Sequence, residues 1–179
     1  MAIDVERALA LELPTRVVEV ERGRLRFFAE AIGETDPIYR DLDAARASGH
    51  PDLPVPPTFF FSLGLEGADP FGYLDELGID LGRVLHGEQS FDYFTTAHAG
   101  DVLTLTERFV DVSSKRGGAL EFLTKVTDIS RDDEPVARAT SVVVIRNPLP
   151  EPPPAAECVK APAQGTEPSR TQANEEGSA

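Results

Sequence analysis

Residues 84–146 hold four stretches in which apolar and polar residues alternate with period two, and this crowding constrains the fold more than any other feature. The stretches are Val84–Phe94, Val102–Ser114, Ala119–Ile129 and Pro135–Arg146. Such alternation is the mark of strands with two unlike faces. Lys115-Arg116-Gly117-Gly118 and Arg131-Asp132-Asp133-Glu134 supply turn chemistry between the last three. In the third stretch Leu120, Phe122, Thr124 and Val126 share one face, and Glu121, Lys125 and Thr127 fall mainly on the other. Long antiparallel strands so spaced make a meander, and its apolar face, here taken as the Leu120–Val126 face, must be covered.

The cover has to come from the first half, which reads as helical. Val17–Val20 is a short strand candidate. Glu21–Ile32 places Leu25, Phe28 and Ile32 at helical spacing and is closed by Gly33. A shorter helix is expected over Asp41–Ser48, capped by Asp41 and ended by Gly49. The segment Pro54-Val55-Pro56-Pro57-Thr58 precedes Phe59-Phe60-Phe61-Ser62-Leu63-Gly64-Leu65. Prolines ahead of apolar residues suit the first turn of a buried helix, where a missing N–H does no harm. Asp69-Pro70 restarts the pattern, with Phe71, Leu74 and Leu77 on one face before Gly78. Three adjacent phenylalanines cover much of a helix circumference, so this helix is expected to be surrounded by protein. Helices laid on an antiparallel sheet make an α+β class.

The 179 residues suit one domain, divided as a lead over 1–13, a folded unit over 14–146 and a tail over 147–179. The tail is Pro, Ala, Glu, Gln, Ser and Gly with almost no large apolar side chain after Leu149, so it is expected to be disordered. Net charge is −14; the tail has five Glu against Lys160 and Arg170, a net −3, which leaves −11 on the rest. That field opposes nucleic acid and anionic membranes. Arg40, Lys115 and Arg116 are local cations for an anionic ligand. The one cysteine, Cys158, sits in the expected tail, which argues against an internal disulfide or a catalytic thiol. His50, His86 and His98 lack metal-ligand spacing, so no metal is expected. The sequence shows neither a secretory leader nor an apolar run of ~18 residues, and the default address is cytoplasmic.

Chemistry concentrates in Gly33-Glu34-Thr35-Asp36-Pro37-Ile38-Tyr39-Arg40-Asp41. On local grounds this is a helix stop and a turn: Gly33 the cap, Asp36-Pro37 the turn, Ile38 a core anchor. The segment also resembles the site of the MaoC-like (R)-specific enoyl-CoA hydratases and 3-hydroxyacyl dehydratases, in which Asp and His stand where Glu34 and Tyr39 stand here. Hydration of an enoyl thioester needs a base for water and an acid for the alpha carbon. Histidine changes charge near neutrality, whereas tyrosine titrates near ~10 and needs a shift of about three units to act as base. A carboxylate one methylene longer also misplaces its oxygens, and about 1 Å can cost on the order of 100-fold in rate.

Over about residues 14–146 the order of segments resembles the FAS1-like dehydratase domain, also called the MaoC-like dehydratase N-terminal domain. The carrying residues are Arg26–Tyr39, Pro54-Val55-Pro56-Pro57-Thr58-Phe59, Leu85-His86-Gly87-Glu88-Gln89-Ser90-Phe91-Asp92-Tyr93 and Gly100-Asp101. The resemblance implies a hot dog fold, a long antiparallel sheet wrapped around a central helix. It also implies that Pro57 and Thr58 replace the His-Gly whose backbone N–H helps hold the thioester oxygen. Glu34, Asp36, Tyr39 and Thr58 are then degenerate catalytic positions, and Pro57, Phe59, Phe60, Phe61 and Arg40 the expected substrate-binding residues. No cofactor is implied beyond the CoA or acyl-carrier thioester itself. The expected role is a non-catalytic, acyl-binding subunit of a heteromeric hydratase, partnered by a hot dog subunit that keeps Asp and His. The alternatives are a self-sufficient homodimeric hydratase using Glu34 and Tyr39, or a non-enzymatic acyl-thioester binding module. His86-Gly87-Glu88 reads as a surface or interface pair, and Glu66 is the type of position a hot dog thioesterase uses.

Overall fold

The computed structural model describes residues 3–148; Cys158 and the expected tail from 149 onward lie outside the described residues. In chain order the elements are α1 (Val5–Ala10), β1 (Arg16–Glu19), α2 (Arg22–Ala31), α3 (Leu42–Ala47), α4 (Phe59–Leu63), α5 (Gly72–Glu76), β2 (Val84–Tyr93), β3 (Val102–Lys115), β4 (Leu120–Arg131) and β5 (Glu134–Arg146). The strands make one antiparallel sheet in the order β1-β3-β4-β5-β2.

The hairpins follow from their turn residues. Asp132 and Asp133 carry φ of 50° and 66° between β4 and β5. Two consecutive left-handed residues make the turn whose twist matches the strands, and aspartate tolerates that region better than most side chains. The β3–β4 turn is likewise left-handed at Arg116, Gly117 and Gly118. Strand β2 is bulged at Gly87, between His86 and Glu88. A methyl group there would lie 2.6 Å from Val144 Cγ2 and 3.0 Å from the Val142 carbonyl oxygen, so the bulge requires glycine.

One face of the sheet carries the helices. Leu25 and Ala29 of α2 and Phe59, Phe60 and Leu63 of α4 bury Leu103, Leu105, Ile129 and Ala137. Ile3 and Ala8 of the lead, with Tyr73 and Leu74 of α5, bury Phe109, Leu123, Val143 and Ile145. A long antiparallel sheet curled about the short helix α4 is the hot dog fold.

Two local expectations are corrected. The face of β4 under the helices is Glu121, Leu123, Lys125, Thr127 and Ile129, not that of Leu120, Phe122, Thr124 and Val126: Glu121, Leu123, Thr127 and Ile129 are buried and Lys125 half-buried, whereas on the other face only Val126 is buried and Leu120, Phe122 and Thr124 are half-buried. Burial of that polar face is possible because its groups are paired. Glu121 accepts from the Ile3 N–H at 2.7 Å and from Asn147 Nδ2 at 2.5 Å. Glu107 accepts from Lys125 Nζ at 2.8 Å and Thr127 Oγ1 at 3.0 Å. Second, protein does not surround all three phenylalanines: Phe59 and Phe60 are buried, but Phe61 is 37% exposed. The expected restart of the helical pattern is present: α4 stops at Gly64, and α5 begins afresh at Gly72, beyond Gly67 with φ of 125°.

Candidate functional site

The segment after α2 is set by its own backbone. Gly33 has φ of 72°, its N–H donates to the Glu30 carbonyl, and the Glu34 N–H donates to the Ala29 carbonyl at 2.8 Å. This is the paired helix stop that a glycine in the left-handed region permits. Glu34 Oε1 then accepts from the Thr35 N–H at 2.8 Å and the Asp36 N–H at 2.9 Å. Asp36 Oδ1 accepts from the Ile38 N–H at 3.1 Å, starting the 3-10 turn Pro37–Tyr39. Asp41 Oδ1 accepts from the Ala44 N–H at 2.8 Å and caps α3. Glu34 and Asp36 thus hold the turn that displays Tyr39, and Asp41 starts the helix that follows it.

Tyr39 is half-buried and lines a recess of about 340 Å³ together with Ile38, His50, Pro57, Phe60 and Tyr93. Burial, and then the charges of Glu34 and Asp36, push the Tyr39 phenol further above its ordinary value. Each cause opposes the shift a base would require, so Tyr39 enters the recess as a neutral hydroxyl able to donate or accept a hydrogen bond. Ile38, expected as a core anchor, is half-buried at the rim of this recess.

The other expected residues separate. Thr58 and Phe61 line a second, apolar recess of about 570 Å³ with Phe28, His86, Gln89 and Phe91. Phe61 meets the His86 ring edge-on at 5.2 Å. Phe60 lies between the first recess and a cavity of about 40 Å³ beneath α4. Phe59 packs in the core against Phe28, centroid to centroid at 5.2 Å. Arg40 braces the loop, with Nη2 donating to the Ala29 carbonyl at 3.2 Å and its own carbonyl accepting from Arg26 Nε at 2.8 Å. Glu66 is ion-paired with Arg24. Among the described residues, no three His, Cys, Asp or Glu side chains gather where a metal could be held, and no helix is long and apolar enough to cross a membrane.

Sequence reasoning missed one pairing. His50 Nδ1 and His98 Nε2 stand 3.1 Å apart beside the first recess, although the residues are 48 positions apart. The bridge of Pro54 to His98 brings them together, a long-range pairing that has no signal in the spacing. Burial lowers the His98 pKa; Asp101 and Asp52 act against this, and His50 and Arg131 reinforce it. His98 is therefore held neutral in the fold, while the unfolded chain takes up a proton below about pH 6.5. Stability from this site is present above that pH and is lost as pH falls. Urea unfolding at about pH 7.5 and pH 5.5 should show a smaller acid loss in His98→Asn than in the parent; equal losses would refute the coupling.

A family model described as "FAS1-like, dehydratase domain region" matches residues 10–139. A UPF0336 protein of Streptomyces griseus is 44% identical over 117 residues, covering 65% of this chain and 78% of that protein. Among solved structures, a chain of the ChsH1-ChsH2 complex from Mycobacterium tuberculosis is similar with a TM-score of 0.66 at 25% identity, over 82% of this chain and 90% of that one. A chain of the HadBC (3R-hydroxyacyl-ACP dehydratase) complex from the same organism has a TM-score of 0.63 at 23% identity, over 74% and 92% respectively, and shares the fold.

Proposed function

Because the chain belongs to the FAS1-like dehydratase domain region family, we propose that it is the acyl-binding, non-catalytic subunit of a heteromeric (R)-specific enoyl-thioester hydratase in the cytoplasm. The observation that carries this reading is the state of the two replaced positions. Glu34 spends one carboxylate oxygen on two N–H groups of its own turn, and Tyr39 is shifted away from the range of a base. The partner, a hot dog subunit that keeps Asp and His, takes a proton from water. The water oxygen bonds to the beta carbon of a trans-2-enoyl thioester, and a proton is delivered to the alpha carbon. This chain, through its unit over 14–146, contributes apolar walls: Phe60 and Pro57 at one recess, Phe61 at the other. The similarity to chains of two named complexes supports a hot dog partner.

The test is hydration of a short and a long trans-2-enoyl-CoA by the purified chain, alone and co-expressed with such a partner. Turnover is expected only from the pair. Replacing the partner's histidine should lower it by about 100-fold to 10,000-fold, the usual contribution of a positioned base. Glu34→Gln and Tyr39→Phe should each leave kcat within about threefold, since neither group shifts a proton in this reading. Turnover by the chain alone, lost in Glu34→Gln, would overturn it.

A further inference from the structure

We propose that β2 is a docking edge selected by charge, built to receive an edge strand carrying lysine or arginine and to discourage a second copy of this chain. The proposal rests on the two-subunit reading above and names the chemistry of the partner's strand. Among the described residues, strand β2 pairs with β5 on one side only and ends the sheet, so its ten residues present a free ladder of N–H and C=O groups. The opposite end of the sheet is β1, with only four residues. A strand added beyond β2 gains main-chain hydrogen bonds whatever its sequence, so its side chains must supply the choice of partner.

Strand β2 faces two ways. Gln89 pairs with Ser141, hydrogen-bonds to it and, with His86 and Phe91, lines the second recess on the helix side. Glu88, Ser90 and Asp92, in register with Val142, Thr140 and Arg138, point to the other face, and all three are exposed. Glu88 and Asp92 are the only acids of β2, and no lysine or arginine accompanies them. Arg138 lies across from Asp92, but its Nε donates to Asp128 at 2.6 Å.

Self-pairing is therefore penalised. In an antiparallel pair, opposed residues point to the same face, so Glu88, Ser90 and Asp92 of one copy must meet the same set of the other. With Ser90 on the axis, Glu88 faces Asp92 twice. Sliding by one step toward either end brings Glu88 diagonal to Glu88 or Asp92 diagonal to Asp92, and one more step sets each directly opposite itself. Every overlap centred between the two acids sets carboxylates opposite or diagonal to one another, and like charges opposed across strands are destabilising. A strand with basic residues at these places turns each repulsion into an ion pair. It also sets its own inward residues beside the recess lined by His86, Gln89 and Phe91.

The test needs no natural partner. Wild-type chain, the variant Glu88→Lys/Asp92→Lys, and a 1:1 mixture are compared by sedimentation at about 0.15 M and 1 M salt, where the screening length falls from ~8 to ~3 Å. Circular dichroism and urea unfolding confirm that the exposed substitutions leave the fold intact. The mixture should form a dimer at least about 10-fold tighter than either protein alone at the lower salt, and the difference should shrink at 1 M. A mixture no tighter than its components overturns the proposal, as does a tight wild-type dimer indifferent to both substitutions. Neither result touches the subunit reading, which is judged by turnover of the natural pair.

Discussion

Glu107→Ala is expected to lower the stability of the chain by about 3–5 kcal/mol, the usual cost of removing one member of a buried ion pair. Glu107 lies on β3 under the helices, and its side chain is only 9% exposed. It holds Lys125 Nζ at 2.8 Å and Thr127 Oγ1 at 3.0 Å, and its other oxygen is 3.1 Å from Arg16 Nη2. Arg16 also donates to the carbonyls of Gly64 and Glu66, so the cluster ties the end of α4 to the sheet. Alanine leaves Lys125 buried with no counter-charge. Glu107→Met combined with Lys125→Met removes both charges at similar volume and should cost less, because Lys125 is no longer stranded and Arg16, which loses its carboxylate, keeps the Gly64 and Glu66 carbonyls. Urea midpoints at neutral pH with unchanged slope would measure both. A loss below about 1 kcal/mol in Glu107→Ala would show that water reaches the cluster and screens it.

That same cluster marks where sequence reading stops. Helix ends and hairpins were legible because their causes are local: Asp41 caps α3, Gly33 ends α2, and the acidic pair Asp132-Asp133 turns β4 into β5. The buried face of β4 was not legible. Counting apolar residues selects Leu120, Phe122 and Val126, yet the covered face contains Glu121, Lys125 and Thr127. What decides the matter is whether each polar group finds a partner, and those partners come from Ile3, Asn147 and Glu107, far away in sequence. Glu34 and Tyr39 stood out in the sequence because the motif around them resembles one with Asp and His at those places. That Glu34 serves its own turn depends on the torsions that Gly33 allows, and that Tyr39 faces His50 and Phe60 across one recess depends on the fold.

Phe60→Ala should cost about 3–5 kcal/mol, as truncations of buried aromatic side chains do. Phe60 is 4% exposed, its ring centroid is 6.2 Å from that of Tyr93, and it belongs to the core cluster of α2, α4 and the sheet. Phe60→Leu keeps most of the apolar volume and should lose less than about 2 kcal/mol. The position has a second consequence, because Phe60 borders both the recess of Tyr39 and the small cavity beside Gln89, Glu107 and Ser141. Truncation should join them. The enlarged space ends on charged and polar groups, so an acyl chain entering it would lie against Glu107 and Lys125 and shut them off from solvent. In the hydratase pair proposed above, Phe60→Ala is therefore expected to raise KM for the long enoyl thioester more than for the short one. An improvement for the long substrate would instead mean that the acyl chain stops short of Phe60, at the apolar recess of Phe61 and Phe91.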